Sequence, residues 1–194
     1  LEQIGKGRAD IDRIRIDDVA ERAVTGPQGA IVGDLQALVP PQIVEAGSRA
    51  EGGSLGGVDI GPGNIRGRAL EFMDHYDEEN EIWIAKEWRP KMFVLTACRD
   101  LDICDISFSE APEWGLHMIG CEHVLVDNLR VRNNLDVPNC DGIDPDHCRD
   151  VEIRNCHIVC GDDAIVVKAT RQEKDYGPSD NIVVRDCVME TQDS

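Results

Sequence analysis

The chain has 194 residues, 41% of them hydrophobic, which is enough for one domain with a real core and short of two comfortable ones. Twenty Lys and Arg against 38 Asp and Glu leave a net charge of −18, which excludes the basic face that nucleic acid binding needs. No apolar run is long enough to cross a bilayer, so neither nucleic acid nor a membrane is an expected partner.

Residues 1–90 read as early coils or an N-terminal cap. Ile11, Ile14, Val19 and Ala23 fit one helical face, although Ile14-Arg15-Ile16 fits a strand equally well. From Gly26 to Gly67 the density of Gly and Pro, with Pro40-Pro41 and Gly61-Pro62-Gly63, favours short strands and turns. Between Phe72 and Arg89 Asp and Glu dominate around Trp83 and Trp88, which predicts a loop leaving the main body.

From residue 91 to 194 a repeat takes over. Cys98-Arg99-Asp100-Leu101-Asp102-Ile103 aligns without gaps on Cys121-Glu122-His123-Val124-Leu125-Val126. It aligns equally on Cys148-Arg149-Asp150-Val151-Glu152-Ile153 and on Ser179-Asp180-Asn181-Ile182-Val183-Val184, the starts being 23, 27 and 31 residues apart. Seven positions after each start stands Asp105, Asn128, Asn155 or Asp186, and alternation then resumes through Ile106 and Phe108, Leu129 and Val131, Cys156 and Ile158, and Cys187 and Met189. Period-two alternation in short strands cannot bury its own apolar face, but stacked units can. Two or three strands returning every 20-odd residues predict an all-β fold, a parallel β-helix. The Asp/Asn positions would take tight bends, because those side chains tolerate left-handed backbone. Most of the eight cysteines then read as small buried hydrophobes; His147-Cys148 and Cys156-His157 raise zinc, but lack the spacing of a structural site.

The chemistry concentrates in Asn139-Cys140-Asp141-Gly142-Ile143 and Gly161-Asp162-Asp163-Ala164-Ile165. Asp141 and Asp163 are 22 residues apart, one coil's length, and Trp114-Gly115-Leu116 holds the same place one coil earlier. The register predicts Trp114, Asp141 and Asp163 on one face with Asp162 beside them. Adjacent carboxylates push their pKa values apart, so one can hold a proton while another stays ionised. Glycosidic hydrolysis needs that pair of an acid for the leaving oxygen and a base for water. Turn formation or calcium binding are the alternative uses of such residues.

From Trp88-Arg89-Pro90 to Thr191 the sequence resembles the polygalacturonase family, glycoside hydrolase family 28. Asn139-Cys140-Asp141 stands for its N-T-D motif, Gly161-Asp162-Asp163 for its G-D-D motif, and Ala111-Pro112-Glu113-Trp114-Gly115-Leu116-His117 for S-P-x-W-x-x-H. The resemblance implies a right-handed parallel β-helix, with Asp162 as general acid and Asp141 and Asp163 activating water in an inverting reaction. The strand spacing, by contrast, would bring these carboxylates to about 5 Å, a separation associated with retention. Cys140 and Ala164 replace the family's usual Thr and Cys and are expected to tune packing. The family's G-H-G and R-I-K motifs would lie beyond Ser194, so the chain reads as a segment whose solenoid is incomplete at its C-terminal end.

Asn139, His117 and Lys168 are the expected substrate-binding residues. Asn139 either orients Asp141 or starts the turn; a surface histidine and a solvated lysine are the ordinary alternatives for the other two. Trp83, Trp88 and Trp114 are possible platforms for sugar rings. A pectin-like polysaccharide, galacturonan or rhamnogalacturonan, is the expected partner of a monomer needing no metal or cofactor. An extracellular or periplasmic location follows from the resemblance alone. The rivals are a calcium-dependent pectate lyase, disfavoured because no Arg or Lys stands in register with Asp141 and Asp163, and a non-catalytic carbohydrate-binding or structural β-helix.

Overall fold

A computed structural model describes residues 63–193 and, upstream of them, the strands Arg13–Ile14, Gln42–Glu45 and Val58–Ile60. Expectations for the Ile11–Ala23 face and for most of the Gly- and Pro-rich stretch fall outside the described residues.

Three parallel sheets run along the stack. One contains Arg99–Cys104, Glu122–Asp127, Arg149–Arg154 and Asp180–Arg185, with Val58–Ile60 and Arg13–Ile14 at its far edge. A second orders Gln42–Glu45, Phe93–Thr96, Leu116–Ile119 and Ile143–Asp146. The third orders Gly63–Arg66, Ile106–Ser109, Arg130–Arg132, His157–Cys160 and Val188–Thr191. The chain visits the sheets in the same rotation on every pass and forms a β-solenoid of about four turns. Among the described residues no helix is long and apolar enough to cross a membrane.

The repeat sets the register. Leu101, Val124, Val151 and Ile182 pair in one row, and Ile103, Val126, Ile153 and Val184 in the next. The first three members of each row are buried, so each coil covers the apolar face of its neighbour. Phe108, Val131 and Ile158 continue this in the third sheet. Cys187 packs against the core and Met189 pairs with Ile158 on the inward row, but Cys187 is only half-buried and Met189 is 50% exposed, because no described strand lies over them.

Asp105, Asn128, Asn155 and Asp186 all have left-handed backbone, with φ between 53° and 58°. Their side chains also bond along the stack: Asn128 Nδ2 donates to Asp105 Oδ1 at 2.7 Å, and Asn155 Nδ2 to Asp127 Oδ1 at 2.8 Å. A second left-handed row, not foreseen from the sequence, passes through Asp100, His123, Asp150 and Asn181. Inside the wall, Cys98, Cys121, Cys148 and Cys156 are buried, and all eight cysteines are outside disulfides.

The acidic stretch after Phe72 is not an irregular loop. Met73–Asp77 and Ile82–Ala85 form an antiparallel hairpin, in which Tyr76 and Trp83 meet edge to face at 5.2 Å. Trp83 N donates to Asp136 O at 2.8 Å, which fastens the hairpin to the loop that leads into Asn139.

Candidate active site

The second sheet brings the motif residues together. Leu116 pairs with Ile143, and Ile143 bridges to Ile165, so Trp114, Asp141 and Asp163 fall into one register row. Gly115 N donates to Asp141 O at 3.0 Å and Gly142 N to Asp163 O at 2.9 Å. Glycine is required at this corner because a Cβ on Gly142 would lie 2.3 Å from Ala164 O. A Cβ on Gly161 would likewise stand 2.4 Å from Leu135 O, so the two motif loops press directly together. Cys140 joins them: its buried thiol donates to Asn134 O at 3.3 Å and accepts from Gly161 N at 3.0 Å. This is the double role a threonine hydroxyl would play, and it goes beyond the packing expected of Cys140. Burial pushes the Cys140 pKa up to about 11, so it remains a thiol.

Asp141, Asp162 and Asp163 converge, each offering a carboxylate oxygen within 4.8 Å of the others. Asp141 is 2% exposed, and its Oδ2 accepts from Lys168 Nζ at 2.9 Å while Oδ1 is buried without a hydrogen bond. Asp162 Oδ2 accepts from the Asn139 backbone N at 3.2 Å and from Asn139 Nδ2 at 3.3 Å. Its Oδ1 accepts from Asp163 N at 2.8 Å. Asn139 therefore orients Asp162, where the sequence pointed to Asp141. Partial burial, followed by the charges of Asp162 and Asp141, raises the pKa of Asp163 above the ordinary aspartate value.

Lys168 is held in the cluster and is not a solvated surface lysine. Besides Asp141, its Nζ lies 3.3 Å from Asp144 Oδ1 and 4.1 Å from the centre of the Trp114 ring. Burial opposes its charge, yet the hydrogen bond to Asp141 and the carboxylates of Asp144 and Asp141 together raise its pKa. Lys168 bridges to Asp146 and so stands out of register with Asp141 and Asp163, but its long side chain reaches Asp141 across the coil.

His117 is not a surface histidine either. It is 2% exposed beneath Trp114, whose ring it meets at 4.8 Å and 89°. His117 Nε2 lies 3.0 Å from Asp146 Oδ2, and its Nδ1 lies 3.2 Å from Lys91 Nζ. Burial lowers its pKa despite Asp146, so the neutral ring donates from Nε2 and accepts the Lys91 ammonium at Nδ1. Lys91 Nζ also stands 3.5 Å from the centre of the Trp114 ring.

Asp144, Asp146, Lys91 and Arg89 did not emerge from the sequence. Asp144 is 0% exposed; burial first and then the charge of Asp141 push its pKa up to about 8. Asp146 is equally buried but accepts from His117, from Thr170 N at 2.9 Å and from Gln172 Nε2 at 3.3 Å. Burial favours its neutral form, but those bonds outweigh it and lower its pKa. The signal available for both was Asp144-Pro145-Asp146, two acids in strand alternation within an otherwise apolar row. Arg89 donates to Pro112 O at 3.0 Å, to Pro138 O, and to Asn139 Oδ1 at 2.6 Å.

Residues 51–192 match the family described as glycosyl hydrolases family 28. The chain belongs to that family. A probable polygalacturonase of Vitis vinifera is 32% identical over 103 residues, covering 52% of this chain and 21% of the relative. A probable polygalacturonase of Arabidopsis thaliana is 28% identical over 109 residues, covering 56% of this chain and 22% of the relative. The hyperthermoactive exopolygalacturonase of Thermotoga maritima superposes with a TM-score of 0.50 at 30% identity, over 54% of this family 28 chain and 24% of that one. The matched stretch is thus about a fifth to a quarter of the length of these relatives.

Proposed function

We propose that this family 28 chain carries the carboxylate site of a glycoside hydrolase that cleaves a pectin-like polyuronide. The observation that carries this is the convergence of Asp141, Asp162 and Asp163 to within 4.8 Å of one another at one corner of the solenoid. Three carboxylates so close cannot all be ionised cheaply, and partial burial with the charges of Asp162 and Asp141 shifts the pKa of Asp163 upward. Asp141 is held in place by the Lys168 ammonium at 2.9 Å.

Asp162, on the partly open side next to Asn139, donates the proton to the glycosidic oxygen. Asp141 and Asp163 take a proton from the attacking water, and the new hydroxyl forms at the anomeric carbon as the old bond breaks. We take the reaction to be inverting. A covalent route needs one nucleophile and one acid, whereas here a third carboxylate faces the same space. The short separation of the carboxylates argues for retention, so the anomer of the first-formed product, read by proton NMR, is the test. A β-configured product from an α-linked uronide supports inversion, and an α-configured product shows retention. The raised pKa of Asp163 favours a second assignment, with Asp163 as the acid and Asp162 on the water; comparing Asp162→Asn with Asp163→Asn on a substrate with an activated leaving group separates the two.

Galacturonan is the preferred substrate, supported by the names of the relatives, with rhamnogalacturonan as the alternative. At −18 the protein repels a polyanion at long range, so Lys91 and Lys168 beside Trp114 are the groups that make the cleft acceptable to uronate. His117, closed beneath Trp114, serves to position Lys91 and the ring. Secretion to the compartment that holds such polymers fits the substrate. The lyase alternative would place a cation among the three aspartates and use Lys168 as base, but a lysine paired with two carboxylates is a poor base. A lyase product absorbs in the ultraviolet and its formation stops with a chelator; a hydrolase product does neither.

A further inference from the structure

We infer that Arg89 is a positioning residue for the proposed acid, acting on Asp162 through Asn139; this rests on the function proposed above. The Arg89 guanidinium forks onto three oxygens from two successive coils. It reaches Pro112 O at 3.0 Å on the approach to Trp114, and Pro138 O and Asn139 Oδ1 (2.6 Å) on the approach to Asp141. A planar fork can hold such acceptors together, which a lysine ammonium on a flexible stem cannot do with the same geometry.

The contact with Asn139 decides the orientation of its amide. With Oδ1 turned to Arg89, Nδ2 faces the other way, where it meets Asp162 Oδ2 at 3.3 Å. The Asn139 backbone N reaches the same oxygen at 3.2 Å, because the residue has left-handed backbone with φ of 53°. Both donors on Asp162 Oδ2 thus come from one residue whose loop Arg89 holds at both Pro138 and Asn139. Without Arg89 the amide is free to turn, and its oxygen would then face the Asp162 carboxylate. The guanidinium's own hydrogen bonds go to Pro112, Pro138 and Asn139, and none goes to Asp141, Asp162 or Asp163.

The test is a double-mutant cycle on the full chain, with Arg89→Met, Asn139→Ala and the double variant, and with Arg89→Lys as the milder change. Each single substitution is expected to lower kcat about 10- to 100-fold with KM within about twofold, and the double variant to be no worse than the poorer single. Arg89→Lys is expected to be impaired nearly as much, since charge alone does not orient an amide. Losses that multiply, or a loss confined to KM, would overturn the inference. If Asp162→Asn is as active as the wild type, or nothing is active, the proposed function is what has failed. The positioning claim is then decided by the Asn139 side-chain amide in nitrogen-15 NMR. Its signals should move and exchange faster with water in Arg89→Met while the thermal transition persists; signals unchanged from wild type overturn the claim.

Discussion

Lys168 Nζ stands 2.9 Å from Asp141 Oδ2, joining two successive coils of the solenoid. Asp141 is nearly sealed from water, so a neighbouring ammonium is needed to offset the burial of a carboxylate. Lys168→Met would leave a buried carboxylate unpaired, at a cost of about 3 kcal/mol where the charge persists. The expected outcome is a lower urea midpoint at pH 7. A midpoint unchanged at pH 7 would show that Lys168 does not hold Asp141.

Asp144 makes a prediction about pH. Its pKa is raised to about 8, so the folded state binds its proton more tightly than the unfolded chain does. That contribution to stability is complete below the unfolded value near 4 and is lost as pH rises through about 8. Asp144→Asn should therefore flatten the fall in melting temperature between pH 5 and pH 9, taken at intervals of about one unit. Parallel curves for the two proteins would contradict it.

The corners give a test that does not involve the site. Asn128 has φ of 55° and bonds to Asp105 at 2.7 Å. Asn128→Gly should cost only a few tenths of a kcal/mol, whereas Asn128→Val should cost about 1–2 kcal/mol, because a β-branched side chain strains left-handed backbone. Equal denaturation midpoints for the two variants would remove the reason for the Asp/Asn row.

Gly142 couples packing to the site. Adding a Cβ there meets Ala164 O at 2.3 Å and Ile158 Cγ2 at 2.7 Å, and the first is backbone that cannot swing aside. Gly142→Ala should destabilise by about 1–3 kcal/mol and, by separating the coils that carry Asp141 and Asp163, lower kcat more than KM. A variant with wild-type melting temperature and wild-type kcat would show that the coils do not need this closeness.

These relationships also show which parts of the molecule the sequence could reveal. Leu101 over Val124, and Asp105 before Asn128, repeat at offsets that survive loops of different length, so the coils and one corner row were legible. The Trp114–Asp141–Asp163 row was legible because Asp141-Gly142-Ile143 and Asp163-Ala164-Ile165 recur one coil apart, with Trp114-Gly115-Leu116 in the same place one coil earlier. Contacts made across the stack were not: Lys168 meeting Asp141, Asp146 meeting His117 and Arg89 meeting Asn139 have no local pattern. The hairpin from Met73 to Ala85 was hidden because Asp and Glu occupy its exposed positions, masking the alternation that carries Tyr76 and Trp83. Asp144 and Asp146 were passed over because a buried acid is the exception, and only their neighbours reveal what offsets the burial.

The most direct test of the central claim is a reducing-sugar assay on polygalacturonate and rhamnogalacturonan, comparing wild type with Asp162→Asn, with and without a chelator. New reducing ends from the wild type, unaffected by chelator and reduced at least about a thousandfold in Asp162→Asn, are the predicted result. Hydrolysis that persists in a folded Asp162→Asn, or activity that disappears with the chelator, would contradict a metal-free carboxylate site built on Asp162.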